Sequence, residues 1–211
     1  MKQKSYYLRI FLILECVLLI FLGIFYFSAG RTLYERTSDG DIAEFAATND
    51  VGELTQGTEV AQVYTSQMDV LDSVGVMVSN YGKTLDAGVQ IKCENLTTGN
   101  IIAENTFASD ALGVNQYVYL TVKNGAKVAR GDTIKITCTS QANAGNAPTV
   151  LYNVENMIEK AEVAKDAAFS INGDVVPGTM CIAVNGRNYV WTGPNYWKLV
   201  LVAAVFLAVV Y

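Results

Sequence analysis

The chain has 211 residues, enough for one globular domain of ordinary size together with membrane segments. Its 20 acidic and 15 basic residues give a net charge of −5, and residues 28–197 alone carry 19 against 11, a balance of −8. That acidity excludes the basic surface that nucleic-acid binding requires. The sequence contains no histidine, which excludes Ser-His and Cys-His catalysis, histidine-ligated zinc and histidine pH switches.

The first element is a hydrophobic segment, residues 6–27, which we predict to be a transmembrane helix. Residues 10–27 contain a single charge, Glu15, and the whole segment reaches the ~20 residues that a bilayer core requires. A charge inside the bilayer is costly without a partner, so Glu15 is expected to contact a neighbouring helix or, alternatively, to act as a functional carboxylate.

Basic residues before the apolar stretch 10–27 of this segment predict its orientation. Lys2, Lys4 and Arg9 place the N-terminus, residues 1–5, in the cytoplasm by the positive-inside rule and send the following domain to the extracytoplasmic side. The alternative is a cleaved secretory signal, for which residues 28–30 supply small side chains. The apolar core of a signal is ~7–15 residues, so the longer segment favours an uncleaved anchor.

A polar, turn-rich segment, residues 28–56, is predicted to be a stalk. After it the hydrophobic period changes to two, which indicates half-buried β-strands. About eight short strands at regular spacing predict a mainly β domain over residues 57–190, an antiparallel, jelly-roll-like β-sandwich. The predicted strands are residues 61–66, 74–78, 89–94, 101–107, 117–122, 133–138, 149–152 and 180–184.

Turns and one helix complete the predicted domain. Residues that tolerate positive φ separate the strands. They are Thr98-Gly99-Asn100, Asn124-Gly125, Arg130-Gly131-Asp132, Asn172-Gly173-Asp174 and Asn185-Gly186. Apolar residues at helical spacing predict a short helical insertion at about residues 154–168, which we expect to pack on an edge or cap an open end of the sandwich.

The C-terminal residues 196–211 are predicted to begin a second transmembrane segment. Tyr196, Trp197 and Lys198 precede thirteen apolar residues, a pattern of interfacial aromatics and a cationic anchor at the mouth of a helix. Thirteen residues are short of a full span, which indicates a longer parent protein with further helices. The alternative is an apolar strand or helix of the β domain itself.

Three cysteines lie outside the predicted membrane segments: Cys93, Cys138 and Cys181. Buried free thiols are one interpretation, because cysteine behaves as a small core hydrophobe. A disulfide between Cys93 and Cys138 is the other interpretation, because both residues are predicted to face inward from strands with regular apolar–polar alternation. Three cysteines without histidine make a metal site unexpected.

Aromatic residues are the best functional candidates, because sugar rings stack on exposed aromatic faces. Tyr117 and Tyr119 project from one strand, away from its apolar side, and Tyr81 follows another strand. Asp110 and Asn115 flank the loop that leads to Tyr117. These five residues form the predicted binding site; the alternative is that Tyr117 and Tyr119 pack across strands or against the helical insertion.

Other polar motifs suggest no catalytic site. The acid pairs Asp69 with Asp72 and Glu155 with Glu159 could serve in acid-base catalysis, but they occur in loop and helix-surface contexts typical of solvated charges. Residues 95–97, Asn-Leu-Thr, match a glycosylation sequon, which matters only in a eukaryotic secretory setting. We predict no catalytic residue and no cofactor.

The order of strands and turns supports one resemblance. The stretches that carry it are residues 62–66, 73–78, 89–93 followed by 99–102, and 132–136. Together with the hydrophobic segment that precedes them, these stretches resemble the N-terminal part of bacterial multi-pass envelope proteins, including membrane glycosyltransferase-like and surface-polysaccharide proteins. In that group a jelly-roll-like extracytoplasmic domain follows the first helix. The resemblance spans residues 57–185 and implies that any transferase chemistry lies outside this chain.

Together these observations favour a non-catalytic extracytoplasmic β-sandwich module of an envelope protein. Its expected partners are the lipid bilayer and either a cell-surface glycan or another envelope protein. The alternative is a single-pass anchored ectodomain that acts as a sensor, adhesin or assembly component through protein contacts. Both hypotheses place the chain in the cell membrane.

Overall fold

The structure, a computed structural model, describes residues 2–28, 34–42, 44–160, 167–191, 198, 200–202 and 204–205. The described chain is mainly β, with helices α1 (Lys2–Ser28) and α2 (Met157–Lys160) and a 3-10 turn at Ser109–Ala111. Its thirteen strands are β1 (Tyr34–Ile42), β2 (Asn49–Asp50), β3 (Glu59–Thr65), β4 (Val70–Ser79), β5 (Val89–Asn95), β6 (Asn100–Phe107), β7 (Gln116–Lys127), β8 (Thr133–Thr139), β9 (Thr149–Asn153), β10 (Ala168–Ile171), β11 (Asp174–Val176), β12 (Thr179–Met180) and β13 (Ile182–Trp191).

The strands form two sheets in a sandwich-like arrangement. One sheet has the order β1-β13-β4-β9-β12, with β2 paired to β9 and β7 paired to β4. The other has the order β11-β10-β3-β8-β5-β6. Every pairing of strands whose register is described is antiparallel. The prediction of a mainly β protein with antiparallel, sandwich-like sheets is confirmed.

Alternating apolar residues build the core. In β5, Val89, Ile91 and Cys93 are fully buried, while the residues between them are half-buried. In β7, Leu120 is buried and the preceding Tyr119 is exposed. Because successive side chains of a strand point to opposite faces, this period gives each sheet one apolar face.

Of two predicted turns, one forms a hairpin loop and the other lies inside a strand. Asn172 and Gly173, with φ of 52° and 86°, form the two-residue loop between β10 and β11. Positive φ at both central residues is typical of the type I′ turn, whose twist suits a β-hairpin. Asn185 and Gly186 lie inside β13, where the register against β4 shifts between them. They form an irregularity within a strand in place of a turn.

The segment predicted as a stalk, residues 28–56, contributes two strands and part of the core. β1 and β2 both lie within it and join the seven-stranded sheet. Leu54 is fully buried in the main core cluster, and its backbone N–H donates to Pro148 O at 2.7 Å. Residues from Ser38 onward belong to the same compact unit as the β domain. The polar composition that suggested a stalk reflects strand edges and turns.

The predicted helical insertion is described only in part, and β10 begins at its last residue. Within residues 154–168 the structure describes a helix only at α2, where Ile158 is buried. Residues 161–166 lie outside the described part. β10 begins at Ala168 and pairs with β3, and its Phe169 is buried in the core. β10 is one of the strands that the sequence analysis missed, and these strands raise the number of strands above the predicted eight.

Contacts divide the chain into two compact units, residues 1–37 with 189–211, and residues 38–188. The first contains α1, and the described residues among 196–211 are helical. Within the described residues, no helix meets the length and apolarity needed to cross a bilayer.

Candidate functional site

Tyr81 lies in a tight turn immediately after β4. Its φ is 54°, a left-handed conformation uncommon for a residue with a side chain. Short side chains support the turn: Ser79 Oγ accepts from Tyr81 N at 3.2 Å, and Asn80 Oδ1 accepts from Gly82 N at 2.9 Å. The turn leaves the Tyr81 side chain partly open, with 39% of the residue exposed.

Asp50, at the end of β2, is the polar partner of Tyr81. The Tyr81 hydroxyl donates to Asp50 Oδ1 at 2.9 Å, and Gly52 N donates to the same oxygen at 2.8 Å. β2 is held in place because Asp50 pairs with Leu151 of β9. Among the described residues, Asp50 Oδ2 has no hydrogen-bond partner, so this exposed oxygen is available to a ligand.

A cleft of about 480 Å³ lies beside this pair. Small-molecule sites typically measure ~300–1,000 Å³ and combine an apolar lining with a few polar groups. The lining residues, which define the Tyr81 cleft, are Ala47, Thr48, Asn49, Asp50, Ser79, Tyr81, Val114, Asn115, Thr149 and Leu151. Tyr81 and Asn115, both predicted site residues, therefore lie in one cleft, together with Asp50, which the sequence analysis did not select.

Asn115 reaches the cleft from the loop before β7. Asn80 joins this loop to the Tyr81 turn, since its Nδ2 donates to Leu112 O at 2.8 Å and its backbone N to Gly113 O at 3.0 Å. Asn115 has φ of 49° and is exposed. Its side-chain amide forms no hydrogen bond with the described residues and can both donate to and accept from a ligand.

Electrostatics keep the Tyr81 hydroxyl protonated. Burial raises its pKa above the ordinary value, the nearby charges of Asp50 and Glu53 raise it further, and a hydrogen bond with Thr149 acts in the opposite direction. The ammonium of Lys83 lies 5.7 Å from the Tyr81 ring centroid, within the range of cation–π attraction. Tyr81 therefore presents a neutral hydroxyl and an aromatic face.

Tyr117 and Tyr119 contact the segment that leads to β2. The Tyr117 hydroxyl donates to Phe45 O at 3.2 Å and accepts from Phe45 N at 3.3 Å, and the Tyr119 hydroxyl donates to Glu44. Burial and the Glu44 carboxylate raise the pKa of Tyr119 to about 12. Neither tyrosine lines the Tyr81 cleft. Both hydroxyls have protein partners, as expected for packing residues.

The remaining predicted acidic residues lie elsewhere. Asp110 is exposed on the 3-10 turn and does not line the cleft. Asp72 forms an ion pair with Arg187 at 2.6 Å, and Asp69 lies 3.6 Å from Arg130. Both carboxylates are engaged with arginine side chains outside the Tyr81 cleft.

The cysteines of the β domain are buried free thiols in the structure. Cys93 pairs with Ile136 across β5 and β8, and Cys138 pairs with Ile91, so the two thiols lie two register positions apart. Burial raises the pKa of both to about 12, which keeps them protonated and poorly nucleophilic. Within the described residues, no three Cys, Asp or Glu side chains come together as a metal site.

No protein-family model matches the chain, and no curated protein matches it significantly. One solved structure with detectable similarity is the VP2 subviral particle of infectious bursal disease virus. The sequences are 8% identical, the match covers 74% of this chain and 41% of that chain, and the TM-score is 0.28. This similarity is too low to assign a family or a function.

Proposed function

We propose that this protein is a membrane-anchored, non-catalytic module that binds glycan on the extracytoplasmic side of a cell envelope, with the Tyr81 cleft as the binding site. The observation that carries the proposal is the meeting of Tyr81, Asp50 and Asn115 around one open cleft. These residues come from three separate segments of the chain. No acid-base pair or activated nucleophile accompanies them among the lining residues, so the proposed role is recognition.

The chemistry of the cleft suits a sugar. A pyranose ring has a face of C–H groups that can stack on the negative face of an aromatic ring, as Tyr81 would provide. Its hydroxyls need acceptors and donors at the edge, which Asp50 Oδ2 and the Asn115 amide would supply. Hydrogen bonds to a charged carboxylate are roughly twice as strong as those between neutral groups.

The proposed anchor is α1. The helix has 27 residues, and many of its described large apolar side chains are exposed. They are Ile10, Ile13, Leu14, Val17, Leu18, Ile20, Phe21 and Ile24. Sequence positions between them whose side chains are not described, Leu12 and Leu19, are apolar as well. Lipid is a more favourable surrounding than water for such side chains.

Glycan binding is tested with the full chain in lipid nanodiscs on surfaces carrying oligosaccharides of glucose, galactose, mannose and N-acetylglucosamine. We expect at least one surface to be bound and Tyr81→Ala to weaken that binding about tenfold, because the stacking face is lost. Phe107→Ala is the matched control, an aromatic truncation on β6 in the other sheet, outside the cleft. Loss of binding in Phe107→Ala but not in Tyr81→Ala would reject the cleft as the site.

A second candidate function, a protein-binding ectodomain, has one supporting observation. A groove of about 400 Å³ with a largely apolar lining includes Val154 and Val175, which are 50% and 72% exposed. Exposed apolar residues around a groove are common in protein interfaces. Site-specific photo-crosslinking from Val175 in intact cells would capture a protein partner, whereas absence of any crosslink alongside glycan binding would reject this candidate.

A further inference from the structure

Building on the proposed glycan site, we infer that the Tyr81 cleft selects uncharged sugars over acidic ones and that Asp50 is the selecting residue. Of the ten lining residues, Asp50 alone carries a charge at neutral pH. Uronic acids, sialic acids and phosphorylated sugars share a negative group that would approach this carboxylate. Neutral hexoses instead offer only hydroxyl donors and acceptors.

The Asp50 carboxylate is held at the cleft and cannot turn away easily. Its Oδ1 accepts two hydrogen bonds, from the Gly52 backbone and from the Tyr81 hydroxyl, which orient the group. Its Oδ2 has no partner among the described residues. An ionised carboxylate only accepts hydrogen bonds, so Oδ2 attracts a sugar hydroxyl and repels a carboxylate or phosphate.

Two charged side chains lie near the cleft without lining it: Glu53, whose charge adds to the repulsion of acidic sugars, and Lys83, whose charge opposes it. Glu53 lies close enough to affect the pKa of Tyr81, and its Oε2 is held by Gly145 N at 2.6 Å. Lys83 is the opposing charge, but it is exposed and does not line the cleft. Water screens an exposed ammonium strongly. The lining itself therefore carries a net charge of one negative unit.

The expected size of the selection follows from Coulomb's law. Two like charges about 4 Å apart in water change a binding constant by about fivefold, and partial desolvation in a cleft increases the effect. Asp50→Asn removes the charge and keeps an oxygen that can accept from Tyr81 and Gly52. The variant should therefore preserve the local geometry while removing the repulsion.

The test compares sugars that differ in one group. The full chain in nanodiscs of uncharged zwitterionic lipid is titrated with glucose and galactose oligosaccharides and with their C6-oxidised forms, which carry glucuronate and galacturonate. Wild type is expected to bind the neutral form at least fivefold more tightly. Asp50→Asn should reduce the difference to within about twofold. Asp86→Asn, the same charge change at a residue that does not line the cleft, should keep it.

Three outcomes are decisive. Equal or tighter binding of the uronate form by wild type overturns the selectivity and leaves the glycan site intact. An unchanged preference in Asp50→Asn assigns the selection to another group and rejects the role of Asp50. If wild type binds none of these sugars or those on the surfaces described above, the proposed function itself fails, and the selectivity fails with it.

Discussion

At the scale of single residues, Asp132 connects its own loop, just before β8, to the end of β5. Its Oδ2 accepts from Asn95 Nδ2 at 2.7 Å and from Ala129 N at 2.9 Å, and the residue is only 9% exposed. Asn95 is itself 3% exposed. The amide nitrogen that a glycosylation sequon would modify is therefore committed to a buried hydrogen bond, and the sequon has a structural role in the folded protein.

Asp132→Ala should lower the free energy of unfolding by about 2–3 kcal/mol, because the substitution leaves the buried side-chain donor of Asn95, and also the Ala129 N–H, without an acceptor. Urea denaturation followed by the circular dichroism of the β-sheet measures the change. Asp110→Ala, at an exposed carboxylate, is the control and should stay within about 0.5 kcal/mol of wild type. A loss at Asp132 no larger than at Asp110 would contradict the assigned role.

The thiols of Cys93 and Cys138 make a second prediction at this scale. Both are buried and protonated, so a thiol reagent should label them only after unfolding. In denaturant without reductant, Ellman's reagent should detect all four cysteines of the chain. Detection of two thiols that rises to four after reduction would instead establish one disulfide, and loss of that rise in Cys93→Ser would place Cys93 in it.

At the scale of elements, residues 44–50 act as a strap across the seven-stranded sheet. Phe45 bonds to Tyr117, Asn153 Nδ2 donates to Ala46 O at 2.9 Å, and Thr48 N donates to Tyr152 O at 3.0 Å. The end of the strap forms one wall of the Tyr81 cleft. Tyr117 and Tyr119 therefore contribute to the candidate site indirectly, because they bind the segment that positions Asp50.

The hairpin of β10 and β11 gives an element-scale prediction. Gly173 has φ of 86° in the two-residue turn, where a side chain is strained. Gly173→Ala should destabilise the domain by about 1 kcal/mol. Gly173→Asn, which introduces a residue that tolerates positive φ, should cost less than Gly173→Ala. Thermal unfolding of both variants measures this, and equal effects would contradict the turn assignment.

At the scale of the whole molecule, the proposed topology places α1 in the bilayer, its N-terminus in the cytoplasm and the β domain outside. Single cysteines at position 3 and at position 144, introduced into a cysteine-free background, report on this. In intact cells a membrane-impermeant maleimide should label position 144, and position 3 only after permeabilisation. Labelling of position 3 from outside would reverse the topology, and release of the protein by alkaline carbonate would reject membrane insertion.

Much of the fold follows from local sequence patterns. Seven of the eight predicted strands each match one strand, and the eighth, residues 180–184, covers the end of β12 and the start of β13. Asn172-Gly173 forms the expected type of turn, because period two and tolerance of positive φ are properties of neighbouring residues. The strands in the polar segment before Gly57 and directly after the predicted helix were not predicted from the sequence. There β2 and β10 form because β9 and β3 offer free edges, which no local pattern reports.

Some residues of the candidate site were predicted from the sequence, and others were identified only in the tertiary structure. The sequence by itself selected Tyr81 and Asn115, since an aromatic residue and an asparagine in turns are recognisable from composition. Tertiary structure alone brought Asp50 to Tyr81, 31 residues away, and Tyr117 to Phe45, 72 residues away. The physical reason is that period predicts which face a side chain occupies, whereas its neighbours depend on strand order and long-range pairing.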